Sequence, residues 1–525
     1  MSHESAPSSN RAVFFFLVVV LLGYVVALGL RLPQTATAQI IAAETPKKAP
    51  AVSPPSASHE HNGDEQAHAT PPLWTVLPFA VLLGVIALLP LIPATAHWWE
   101  SNLHRFYIAA ALATVTLLYY LFVHAQPIHG HWPAAHLVTL STRGPNLSLA
   151  ANVFANAILS EYIPFMVLLF SLYTISGGIR IEGDLPAHSL TNTAILAVGS
   201  LLASFIGTTG AAMLLVRLLL ETNRERKHVK HTVIFFIFVV CNCGGCLLPL
   251  GDPPLFLGYL MGVPFLWTWV LWKAWLFINV ALLIIYFLLD HYWYYPRERA
   301  EDIVRDETRR HRVRFGGVWP NALLLLGVVF AIATLGPRKA FPGTDWQPWL
   351  YLREAVQLGL VAISLAWGNG HARRANRFNY AAILEVAALF FGIFICMQPA
   401  LQILEVEGPN LGLIHPWQYF WATGGLSSFL DNAPTYVVFF HTAKAYSLQN
   451  NLAPLVAGVE QTLLIAVSLG SVFMGANTYI GNGPNFMVKA IAEEAGVAMP
   501  SFFGYMLYSL AILIPLFVVV TWLFL

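Results

Sequence analysis

The stretch "GGLSSFLDNAPTYVVFF", Gly424 to Phe440, is apolar at both ends, yet its middle carries Asp431, Asn432 and Pro434. A carboxylate at the centre of a membrane helix costs about 2.5–3.5 kcal/mol on the insertion scale. Proline removes a backbone donor and breaks the helix. An ionisable residue at a helix break inside lipid reads as a functional site, and the rest of the chain has to explain it.

The surroundings are those of a membrane protein. The chain has 525 residues, 57% hydrophobic and 10% charged, against about 25% charged in soluble domains. Apolar runs of about twenty residues recur along nearly the whole length, the mark of a polytopic, all-α membrane protein. A net charge of +1, with no basic patch interleaved with aromatics outside the loops, gives no nucleic-acid partner. Cys241, Cys243 and Cys246 cluster and Cys396 lies in an apolar run, so no disulfide framework is expected.

Residues 1–149 are read as N-terminal helices. Val13 to Leu30 is apolar after Arg11, and "TATAQ" (Thr35 to Gln39) offers an Ala-x-Ala cleavage site. A signal peptide and a retained helix both fit, and the length of the run favours the helix. The Ala-, Pro- and Ser-rich segment 35–72 is expected to be disordered and outside.

Three loops are rich in Lys and Arg: Glu221 to His231, Tyr294 to Phe315 and Asn369 to Phe378. The segments Leu404 to Pro416 and Tyr446 to Pro454 have neither. By the positive-inside rule the first three are cytoplasmic and the last two outside. One path satisfies all five: about eleven transmembrane helices plus two re-entrant helical hairpins at 189–221 and 418–446. It puts the N-terminus in the cytoplasm and the C-terminus outside, in a bacterial-type inner membrane.

The chain also resembles itself. "SEYIPFMVLLF" (from Ser160) and "LEVAALFFGIF" (from Leu384) lie 224 residues apart, and the same offset sets Leu201 to Val216 on Gly425 to Phe440. "GGCLLPLGDPPLFL" (Gly244 to Leu257) falls on "GANTYIGNGPNFMV" (Gly475 to Val488) with a one-residue slip. A first inverted repeat at 150–289 and a second at 379–525 follow, separated by a cytoplasmic basic linker and connecting helices at 290–378. Inverted repeats with broken helices are the architecture of secondary transporters, with the site at the midplane where the breaks meet. Backbone groups freed at a break cannot face lipid, so they line a cavity or are buried in protein.

Four breaks hold the candidate residues: Thr208 and Thr209; Asn242 and Asp252; Asp431 and Asn432; Asn477, Thr478, Asn482 and Asn485. Asp431 suits a proton and a cation competing for one carboxylate, which is the chemistry of antiport. The bland alternative is a cap on the following half-helix. For Asp252, followed by two prolines, the cap reading is stronger. The Asn and Thr side chains are uncharged oxygen donors suited to Na⁺ or a polar substrate. Na⁺ candidates are Asp431, Asn432, Asn242 and Asn477, with no firm metal site. Glu161 and Glu385, equivalent in the repeat, read as solvated interfacial residues; Arg217 and Lys273 read as snorkelling. "CNCGGC" reads as close packing, although thiols also bind arsenite, and "HEHNGDEQAHA" (His59 to Ala69) as a solvated tail. Two intramembrane aspartates also suit an aspartyl protease, but the repeat accounts for them and no enzyme is expected.

"NCGGCLLPLGDPP" resembles the signature of arsenite permeases and bacterial sodium:proton antiporters. "FLDNAPT" and "GANTYIGNGPN" resemble its second-half counterparts and those of citrate transporter-like proteins. Roughly Ser160 to Leu525 is thus similar to the ion transporter superfamily. The resemblance implies a scaffold domain, a transport domain with two opposed hairpins, and a homodimer. It departs from the sodium-coupled dicarboxylate branch, which carries Ser-Asn-Thr at both tips. Here the tips read Gly207-Thr208-Thr209 and Asp431-Asn432-Ala433. The reading is an ion-coupled secondary transporter without cofactor, moving Na⁺ and/or H⁺ through the bilayer as a cation:proton antiporter, with citrate/carboxylate transport or an arsenite permease as alternatives.

Overall fold

The structure, a computed structural model, describes residues 6–44, 70–140, 144–308, 311–337, 339–376 and 378–525. It is helical throughout, with three short two-stranded ribbons among the described residues. Six of those helices are long and apolar enough to cross a membrane, or up to eight if each bent pair counts as one span.

Both hairpins form. The first has arms Ser189–Ile206 and Thr208–Thr222, and its feet are joined by reciprocal amide hydrogen bonds between Asn192 and Asn223, each 2.8 Å. The second has arms Pro416–Ser427 and Asn432–Gln449. The two tips solve the turn differently. Gly207 has φ 81° and ψ 150°, a region closed to residues with a Cβ. Asp431, at the matching place, has φ −58° and ψ 137°, which any residue adopts. The first tip therefore cannot hold a side chain where the second holds a carboxylate.

Each hairpin is followed by a broken helix. The first is Lys230–Val239, a short 3-10 turn and Pro253–Leu260; the second is Gln461–Met474, a 3-10 turn and Gly483–Glu494. Their unwound turns match in local geometry at an offset of 230, one residue from the sequence alignment. A Cβ on Gly251 would strike the carbonyl of Gly245, and one on Gly481 that of Gly475. Asp252 and Asn482 then occupy the same extended position before the second half-helix, at φ/ψ −141°/144° and −152°/140°.

The three basic loops gather at one end. Glu298 accepts the backbone N–H groups of Lys227 and His228, both at 2.9 Å. Arg180–Asp184 pairs antiparallel with His311–Gly316. Asn376 donates to the carbonyls of Gly177 and Ile179. The feet of the first hairpin lie at this end. At the other end Tyr120 bonds Gln402 and His441 meets Glu405 beside the second hairpin. The two halves are thus opposed, as the repeat requires.

Two expectations need correction. Residues 35–44 are not disordered: they belong to a helix, Leu32–Glu44. The segment is rich in alanine, the best helix former, and its Thr37 hydroxyl both donates to Pro33 and accepts the Leu350 N–H. Residues 45–69, with the His59 to Ala69 tail, lie outside the described residues. Glu385 is not merely solvated: it pairs with Arg105 at 3.0 Å, where helix Asn102–Phe122 packs along Ala381–Cys396. Glu161 sits half-buried in a π-helical stretch, Ala155–Tyr162.

Candidate functional site

The four breaks meet. In each repeat a serine near the hairpin tip stitches the hairpin to the unwound turn. Ser204 Oγ donates to the Gly244 carbonyl at 2.6 Å and accepts the Leu247 N–H at 3.1 Å. In the second half Ser428 Oγ donates to the Met474 carbonyl at 3.2 Å and accepts from Asn477 Nδ2 at 2.9 Å. Offsets of 224 and 230 map one set on the other. These serines lay aligned in the repeat, yet alone they carry no chemical signal, so sequence reasoning passed them over.

The halves also join each other. Asp252 accepts from Thr208 Oγ1 at 3.1 Å, from Asn482 Nδ2 at 3.1 Å and from Asn432 Nδ2 at 2.6 Å. Asn242 donates to Asn485 Oδ1 at 2.8 Å and accepts from Asn482 at 3.3 Å. Asn485 in turn donates to the carbonyls of Gly475 and Thr478. Of the ten residues singled out, eight belong to this connected set: Thr208, Asn242, Asp252, Asn432, Asn477, Thr478, Asn482 and Asn485. Thr209 is half-buried beside the tip and outside the network. Asp431 precedes Asn432 in the chain, at the tip of the second hairpin.

The bland reading of these side chains was helix capping. Asp252, Asp431 and Asn482 do stand at cap positions, but none makes a side-chain cap hydrogen bond. Asp252 and Asn482 instead spend their polar atoms on other breaks. Within this connected set two amide oxygens are buried without a partner, Asn432 Oδ1 and Asn477 Oδ1. Leaving such an atom unsatisfied costs about 1–3 kcal/mol, a cost that a bound cation removes. Asn242, a Na⁺ candidate from sequence, has its amide oxygen already engaged by Asn482.

The thiols of Cys241, Cys243 and Cys246 are buried and free. Close packing accounts for the small residues beside them: a Cβ on Gly244 would lie 2.7 Å from Ser200 Cα and from the Val239 carbonyl. Among the described residues, the group spaced to hold a metal is Asp184, Glu225 and Asp306 at the basic end, without a cysteine. A cavity of about 800 Å³ opens at that end. Arg180, Arg217, Arg314, Glu182, Glu221 and Glu494 are among its lining residues. Arg217 thus faces a cavity, while Lys273 lies over the ring of Trp272.

Opposed hairpins, opposed broken helices and a polar cluster where they cross define a transporter architecture. A family model described as putative citrate transport matches residues 68–525. The chain belongs to this family. The match begins well before Ser160, so the N-terminal helices from residue 68 are part of the family's unit and not an addition to it. No curated protein matches the chain. This member of the putative citrate transport family is a multi-pass membrane protein and a secondary transporter.

Proposed function

We propose that the protein exchanges a monovalent cation, Na⁺ first, for protons by alternating access. The observation that carries this is the charge of the site. Asp252 takes its hydrogen bonds from neutral amides and hydroxyls, one of them from Asn432, the chain neighbour of Asp431 on the opposite repeat, and the buried amide oxygens of Asn432 and Asn477 have no partner. Such a set receives a cation and repels a carboxylate. Asp431 and the oxygens of Asn432 and Asn477 contact the cargo, and Asp252 adds its field. Cation and proton compete for Asp431, so each leaves as the other enters.

A second reading is carboxylate transport, which the family's description names. Arg180, Arg217 and Arg314 in the wall of the basic-end cavity can meet an anion there, although Glu182, Asp184, Glu221 and Glu494 share that wall, so the family's description is the main support for this reading.

Proteoliposomes loaded acid-inside separate the two. Added Na⁺ should dissipate the pH gradient, with Li⁺ and K⁺ as comparisons. No dissipation by any cation at any pH would sink the exchange reading, and labelled citrate uptake dependent on Na⁺ would establish the second. Asp431→Asn should abolish cation-driven proton movement while the protein still folds. Wild-type rates in that variant would remove Asp431 from the mechanism.

A further inference from the structure

The Asp252 carboxyl is 1% exposed. It is the meeting point of all four broken segments: it stands on the first broken helix and receives Thr208 from the first hairpin, Asn432 from the second, and Asn482 from the second broken helix. A carboxylate offers about four lone-pair positions, so three donors leave little room for cargo. The orientation of the Asn482 amide is over-determined. Asn482 Nδ2 also donates to the Cys241 carbonyl at 3.0 Å and to Asn242 Oδ1 at 3.3 Å, which fixes which end of its amide faces Asp252. With the Asn432 NH₂ held at 2.6 Å, its oxygen must point away from Asp252. That oxygen is buried and has no hydrogen-bond partner.

The repeat explains why the two halves differ here. Asp252 and Asn482 are equivalent by backbone and are hydrogen-bonded to each other. Two aspartates would set acceptor against acceptor. One acid and one amide make a complementary pair.

We propose that Asp252 is a positioning residue for the cargo and not its ligand. It turns the Asn432 amide so that Oδ1 faces the transported cation, and it ties both hairpin tips to the second broken helix, so the cation meets an assembled site. This rests on the cation-exchange reading above.

Asp252→Asn would set NH₂ against the NH₂ of Asn432, and the relief of that clash turns the Asn432 oxygen away from the cargo. The cation KM, read from Na⁺-driven proton movement in proteoliposomes, should rise about tenfold with kcat largely kept. The double variant Asp252→Asn/Asn432→Asp restores one acid facing one amide with the same net charge, and should return KM to the wild-type value or below. Thermal unfolding in detergent checks that each variant is folded. Loss of turnover at saturating Na⁺ in Asp252→Asn, or a folded double variant no better than the single, overturns the proposal. A wild type without any cation-driven movement is a different outcome: it removes the exchange reading, and the positioning role falls with it.

Discussion

Arg226 shows what a single side chain holds together outside the site. Its guanidinium grips Asp290 at 2.6 and 3.1 Å and reaches Glu298 at 3.4 Å, all buried. This ties the loop between the first hairpin and the first broken helix to the linker. Arg226→Ala takes the guanidinium away from two buried carboxyls and leaves Asp290 with His231 and Glu298 with the two backbone N–H groups, so the expected loss is below the roughly 3–5 kcal/mol of a fully broken buried pair, seen as a lower unfolding temperature in detergent. Glu298 adds a pH dependence. Burial alone would raise its carboxyl, but the Lys227 and His228 N–H groups and the Arg226 charge outweigh that and hold it below the ordinary range. A depressed carboxyl stabilises the fold above its unfolded value of about 4.3 and loses that stabilisation as pH falls through its folded value. Stability should therefore fall at pH values below about 4, and Glu298→Gln should flatten the slope. An acid limb unchanged in that variant would refute the assignment. None of these partners could be paired from sequence, where all of them appear only as members of charged loops.

At the scale of elements, the breaks depend on backbone passing close to backbone. A Cβ on Gly481 would lie 2.6 Å from the Gly475 carbonyl oxygen and 2.7 Å from that of Ser427. Neither atom can step aside without moving the site. Gly481→Ala should cost about 1–3 kcal/mol or more and reduce folded yield. Gly425→Ala, on an open helical face with nothing within 4 Å, should be neutral or gain about 0.5–1 kcal/mol. Equal behaviour of the two variants would contradict the close approach. The breaks themselves were legible, because Gly, Pro and Asn interrupt apolar runs at matched intervals. Their register was less so. The one-residue slip resolved only when the two unwound turns were compared in space.

For the whole molecule, the three basic loops converge on one end together with the feet of the first hairpin, and the cavity opens there. If that end is cytoplasmic, Arg374→Cys should react with a membrane-impermeant maleimide only from the cytoplasmic side, and Asn450→Cys only from outside. The four native cysteines are all buried, so background labelling should be low. The reverse pattern would invert the topology.

Sequence by itself determined the membrane class, the two-fold repeat, the opposed orientation and the location of the four breaks, because each is written in local chemistry: apolar length, loop charge, and residues that stop a helix. It also found eight of the residues that meet at the crossing. Only the tertiary structure decided their roles. Whether an aspartate before a helix caps it or faces another break depends on which donors reach it from segments far away in the chain. Asp431 drew attention as the costly charge, yet the hydrogen bonds converge on Asp252, whose partners lie 44, 180 and 230 residues away. Contacts at that separation leave no mark in composition or spacing, since the first exists only when the hairpin has folded onto its broken helix and the other two only when both repeats have folded against one another.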